Sequence, residues 1–257
     1  MESIRDLLEF GVDVAWRAGR ITLAHFQTGT IAETKPDHSP VTVADREAEH
    51  RVRELIEKRF PGDGILGEEL GQVRDGARRR WIIDPIDGTR SFVRGVPFFG
   101  VLLALEIDGE AVVGIIHFPA LGETVSAARG EGCWWNGRRA CVSDVATLDR
   151  ALLLTTDVEN IERRGRAMGW NRLCSRAELC RTWGDCYGYA LVATGRAEAM
   201  FDPIIAVWDG AAIAPIIEEA GGEITDMDGT PGYRSGSLLA TNAALAREIR
   251  GLLSQRA

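Results

Sequence analysis

The chain has 257 residues, 45% hydrophobic and 26% charged, with a formal net charge of −8. That length allows a large core in one α/β domain or two lobes, and no apolar run is long enough to span a bilayer. The negative balance disfavours nucleic acid as the main partner, because phosphate backbones are held by Lys/Arg patches and the clusters Arg78-Arg79-Arg80 and Arg163-Arg164 are short.

The N-terminal MESIRDLLEF carries acids early and lacks an apolar signal core, so no export signal is read. The five cysteines (Cys133, Cys141, Cys174, Cys180, Cys186) form no C-x-x-C pair. Their odd count suits a reducing cytoplasm rather than a disulfide framework or a zinc site.

Residues 2–27 carry Ile4, Leu7, Leu8, Val12, Ala15 and Ala18 near helical spacing. Pro36 and Pro40 hold off the next helix until about Val41; Ala44 to Phe60 then reads as helix and Pro61-Gly62 closes it. Ile65-Leu66 is a short strand running into Gly67-Glu68-Glu69, and Arg80 to Ile83 is another, stopping at Asp84 because Pro85 cannot continue a ladder. FFGVLLALEI and EAVVGIIHF form a hairpin about Asp108-Gly109. ETVSAA and GCWWNG add two strands, with Asn136-Gly137 as a turn and Trp134-Trp135 packing the hairpin. Ala151 to Thr155 is a strand, ENIERRGRAMGW a helix, and 185–195 and 209–220 two more, the second beginning just after Trp208 and halted by Gly221-Gly222. A strand, SLLAT, precedes a helix over 243–254. The class is mixed α/β. The change of pattern near 145 divides one compact unit into a lobe over 1–145 and a second over 146–257.

Chemistry concentrates in carboxylates. Asp84 and Asp87 end an apolar strand, where α/β proteins place ligands, and Gly88-Thr89 follow with backbone donors and a helix starting near Ser91. Acids beside N–H donors suit a phosphate only when a divalent cation lies between them. Glu68 and Glu69 follow another short strand, Asp209 opens a helix, and Asp45 sits early in its own. Each alone is also what a capped turn or a helix first turn would show. Together they fit hard Mg2+, two of which, roughly 3.5–4 Å apart, can clamp attacking and leaving oxygens.

GEE at 67–69, DPIDGT at 84–89 and WDGAA at 208–212, with the lead-in PVTVADREAE at 40–49, resemble the inositol monophosphatase family of Mg2+-dependent phosphatases, over nearly the whole chain. The resemblance implies an α/β (α+β) layered αβαβα sandwich, of the inositol monophosphatase and fructose-bisphosphatase type, commonly dimeric. It implies a small phosphorylated substrate and two or three Mg2+ ions, with Mn2+ as a substitute. Their ligands would be Glu68, Asp84, Asp87, Asp209 and the Ile86 carbonyl, with Glu69 behind them. Gly88 and Thr89 would hold the phosphate through N–H groups. Asp45 with the Thr89 hydroxyl would activate the attacking water, Glu68 completing the catalytic set.

The substrate side is expected from RTWGDCYGYALVATGRAEAMFDP, residues 181–203, which resembles the histidinol-phosphatase branch of that family through its R-x-W-G-D segment. The resemblance implies that Arg181, Gly184, Asp185 and Cys186 line the leaving-group side and that Asp202 touches substrate. Histidinol phosphate carries an ammonium that Asp185 or Asp202 could pair with; Asp185 reads equally as a helix cap. Arg181 could contact phosphate or orient Asp185. His38 and the other histidines read as surface groups. The alternatives are an inositol or broad sugar-phosphate phosphatase and, in another class, a non-catalytic binding partner of transcription machinery.

Overall fold

The computed structural model describes residues 2–36 and 38–254. Helices α1 (Ile4–His25) and α2 (Val43–Arg59) begin at reciprocal caps, Ser3 with Asp6 and Thr42 with Asp45. Between them, β1 (Glu33–Thr34) and β2 (Pro40–Val41) pair antiparallel. An eight-stranded sheet follows, made of β3 (Gly64–Gly67), β4 (Gly71–Val73), β5 (Arg79–Asp87), β6 (Gly100–Ile107), β7 (Glu110–Phe118), β8 (Glu123–Ala128), β9 (Gly132–Trp135) and β10 (Arg138–Ala140). Its order is β10-β9-β8-β7-β6-β5-β3-β4, with only β3 and β5 parallel.

The second half builds a five-stranded sheet, ordered β12-β11-β13-β15-β14. It comprises β11 (Leu152–Leu154), β12 (Leu179–Arg181), β13 (Ala199–Asp202), β14 (Gly222–Thr225) and β15 (Leu238–Asn242). The helices are α3 (Thr89–Val93), α4 (Val158–Arg163), α5 (Ala167–Arg176), α6 (Asp185–Ala193), α7 (Val207–Glu219) and α8 (Ala246–Leu253).

Strand alternation assigns the layers. Trp81, Ile83, Leu103, Leu105, Val113 and Ile115 pack on Leu7, Val14, Val52 and Ile56 of α1 and α2. Ile82, Leu102, Ala104 and Ile116, on the other face, meet Tyr189 of α6 and Ile213, Ile216 and Ile217 of α7, together with Leu238 and Ala240 of the second sheet. Leu153, Phe201 and Leu239 face outward to Trp170, Leu173, Ile249 and Leu253 of α5 and α8. The order is α, β, α, β, α, the expected sandwich.

Several expectations need correction. Strand β5 does not stop at Asp84; it runs through Pro85 to Asp87. Strand β3 pairs it only as far as Ile83, so beyond that point one edge is free and a residue without N–H costs no ladder bond there. The stretch 159–170 is not one helix, because the chain turns through Gly165 at φ 67° between α4 and α5. Helix α3 starts at Thr89, before Ser91, and α7 at Val207, before Trp208. Strands β4, β12, β13 and β14 are too short for alternation to reveal them. Trp134 and Trp135 do pack the hairpin, under Arg139 and Arg196.

Candidate active site

The pairing of β5 with β6 explains how two acids three residues apart meet. Asp84 lies opposite Leu102 and Asp87 opposite Gly100, three steps against two. In a regular strand Asp84 and Asp87 would point to opposite faces; the one-residue bulge brings both to the side of Ile82. Ile86 goes the other way, packing on Ala44 of α2. Asp209, in the first turn of α7, accepts the Ala206 N–H at 2.8 Å and so turns its carboxyl toward the strand end. Ligand oxygens of Asp84, Asp87 and Asp209 lie within 4.8 Å of one another.

Such crowding opposes ionisation. Asp84 is pushed well above the ordinary carboxylate range by burial and then by the charges of Glu68, Asp87 and Asp209. Burial, then Asp185 and Asp209, do the same to Asp87, against the Cys186 N–H that it accepts. Burial lifts Asp209 to about 7, opposed by the Ala206 hydrogen bond.

Glu68 and Glu69 sit at the turn after β3. The fully buried Glu49 carboxylate accepts the N–H groups of Glu69 (2.8 Å) and Leu70 (3.2 Å), and Arg53 braces it at 2.8 Å. Lys35, which the sequence reading missed, holds both acids, Nζ lying 2.7 Å from Glu68 and 2.5 Å from Glu69. Burial carries Glu69 to about 7 even against that ammonium.

Asp45 is buried. Its Oδ2 accepts the N–H and hydroxyl of Thr42, both at 2.7 Å, while Oδ1 has no partner among the described residues. Burial raises its pKa. The Thr89 hydroxyl donates to the Ile86 carbonyl at 3.0 Å, so the expected Asp45–Thr89 hydrogen bond is not made in this state. Gly88, at φ 83°, caps α3.

On the other side, Asp185 is the first residue of α6, with Gly184 as the cap, so its carboxylate is not spent on capping. Asp185 accepts from Ser91 at 3.3 Å and its N–H donates to Thr156 Oγ1 at 2.9 Å. Burial lifts it to about 6. It lies between two cavities. One of about 90 Å³ is lined by Asp87, Asp209, Asp202, Cys186 and Tyr189. The other, of about 730 Å³, is lined by Arg90, Phe98, Glu159, Arg163 and Gly184. Thr156 and Asn160 border both.

Two expectations on this side change. Arg181 is exposed, donates to the Cys180 carbonyl at 2.8 Å and lines neither cavity; Ser91 and Thr156, not Arg181, orient Asp185. Asp202 reaches the small cavity, but its oxygens are taken by Thr156 and Tyr189 at 3.0 Å. Cys186 lines the small cavity, its N–H donating to Asp87 and its side chain buried. Nor are all histidines superficial, since His117 is 3% exposed and burial lowers it to about 4. His38 is exposed, as expected, its N–H donating to the Lys35 carbonyl at 2.9 Å.

The donor set suits a hard divalent cation: oxygens only, several of them crowded, and among the described residues a buried, unpartnered Asp45 oxygen on a carboxyl that feels the charge of Glu68. The profile of the inositol monophosphatase family matches residues 3–256. A histidinol-phosphatase of Chlorobaculum parvum is 43% identical over 244 residues, 94% of each chain. A histidinol-phosphatase of Mycobacterium tuberculosis is 40% identical over 250 residues, 95% of this chain and 96% of the relative. The solved Thermotoga maritima IMPase superposes with a TM-score of 0.89 at 33% identity, covering 96% of each chain. Among the described residues no helix is long and apolar enough to cross a membrane.

Proposed function

Because this chain belongs to the inositol monophosphatase family of phosphatases, we propose that it hydrolyses histidinol phosphate to histidinol and phosphate in histidine biosynthesis, with Mg2+ as cofactor. The observation that carries the substrate is Asp185. An acid at the junction of the two cavities, its carboxylate free of capping duty, suits an ester with an ammonium near the phosphate.

Glu68, Asp84, Asp87, Asp209 and the Ile86 carbonyl would hold the metal, with Mn2+ as a substitute. Bound there, a divalent cation lowers the pKa of water and neutralises phosphate charge. The protein supplies the rest. Backbone N–H groups of Gly88 and Thr89 orient the phosphate. Asp45 accepts the proton of the attacking water through Thr89, whose hydroxyl exchanges the Ile86 carbonyl for that task. Asp45 Oδ1, buried and unpartnered among the described residues, is the oxygen available for it. Asp185 receives the leaving group's ammonium. Five unbonded cysteines suit the cytoplasm. The proposal includes a homodimer, for which exposed apolar side chains such as Trp183 and Ile204 offer surface.

The test is phosphate release from histidinol phosphate, inositol 1-phosphate and a sugar bisphosphate, with Mg2+ and with EDTA. A kcat/KM for histidinol phosphate about a hundredfold above the others is expected, a difference in the range of one well-paired charge. Flat activity would discard the histidinol assignment, and no release anywhere would favour a binding protein.

A further inference from the structure

Asp185 is held in an uncommon conformation. Its φ is +51°, a left-handed region that an aspartate tolerates at some cost and keeps only where its surroundings enforce it. The enforcing group is Thr156, in the loop after β11. Its hydroxyl donates to Asp202 Oδ2 at 3.0 Å, so its single proton is committed and a lone pair is left for the Asp185 N–H at 2.9 Å. The Thr156 N–H donates to Asp202 Oδ1 at 3.0 Å, which fixes the residue at a second point. Asp202 is in turn steadied by the Tyr189 hydroxyl at 3.0 Å, and both are buried. Strands β11 and β13 are parallel neighbours, so Thr156 and Asp202 leave the sheet side by side at their carboxyl ends. Contact with the Asp185 turn is close: a Cβ on Gly184 would stand 2.3 Å from Thr156 Cα.

We propose that Thr156, gripped by Asp202, which Tyr189 steadies in turn, is a specificity-determining positioning residue: it sets Asp185 where a cationic leaving group must be met. This rests on the reading of Asp185 given under Proposed function. Asp202 then serves recognition through Thr156, its oxygens being already engaged inside the protein.

The experiment measures kcat and KM for histidinol phosphate and inositol 1-phosphate, Mg2+-loaded, in the wild type, T156V, T156S and D185A. Valine keeps the branched shape and removes the hydroxyl; T156A serves the same comparison should T156V not fold. The ratio of kcat/KM between the two substrates should fall about tenfold in T156V, mainly through KM for histidinol phosphate, as loss of one hydrogen bond predicts. T156S should restore it. Equal losses on both substrates, or no rescue by serine, would overturn the proposal. A preference lost in D185A but kept in T156V overturns the role of Thr156 alone. A wild type without preference overturns the substrate reading and this role with it.

Discussion

At the scale of single residues, the acids at the end of β5 spend stability on their position. Asp87 is raised by burial and by Asp185 and Asp209, so its charge is a strain on the protein without a cation. Asp87→Asn keeps the volume and removes the charge. Thermal unfolding in EDTA should show the variant at least as stable as the wild type. Turnover should fall by more than about a hundredfold, since even the outer partners of metal ligands are worth 10–100-fold. Near-normal turnover would remove Asp87 from the ligand set. Such acids are legible in the sequence because a charge at the end of an apolar run needs a reason. Thr156 and Lys35 are not: the second of two threonines after a strand, or a lysine before a proline, has many innocent settings. Their partners stand 46 residues away for Asp202 and 33 for Glu68, a proximity created only by folding.

At the scale of elements, the reading of β5 shows where pattern ends and geometry begins. The acids predict a site, but the inference of a stop at Pro85 treats the strand as central along its whole length. Its neighbour β3 is four residues long, so the last part of β5 is an edge that admits both the proline and the bulge. The turn after β3 depends on a similarly close fit. A Cβ on Gly67 would stand 2.0 Å from Glu49 Oε1, the oxygen that accepts the Leu70 N–H and the Arg53 guanidinium. Gly67→Ala should therefore displace Glu49 and release the Glu68-Glu69 turn. Chemical unfolding should show a loss of about 1–3 kcal/mol, as for other overpacked sites. Calorimetric titration with Mg2+ should show weaker binding than in the wild type. Wild-type affinity would mean that the Glu49 cradle does not set the position of Glu68.

At the scale of the whole molecule, the site joins layers that no local window of sequence connects. Asp84 and Asp87 come from the eight-stranded sheet, Asp209 from the helix layer between the sheets, and Asp185 from the neighbouring helix of that layer. Buried acids brought together by folding make stability depend on pH and on metal. Asp209 and Glu69 titrate at about 7 in the folded protein, and Asp84 and Asp87 are also raised, against unfolded values of 3.8 and 4.5. A raised folded pKa means that the native state holds protons that the unfolded chain has released, so stability present at low pH is lost as pH rises through about 7. His117, lowered to about 4, works oppositely, but its effect is complete near 6.5 and it is one group against four. In EDTA the Tm should thus fall between pH 6 and 7.5. Mg2+ binds the ionised native site, adding about 2.7 kcal/mol at a hundred times its dissociation constant, and its gain should grow with pH over the same window. Asp209→Asn should flatten both slopes. A Tm in EDTA that holds or climbs over this range, or a Mg2+ gain equal at both ends, would show that these carboxylates are not the groups that bind the cation.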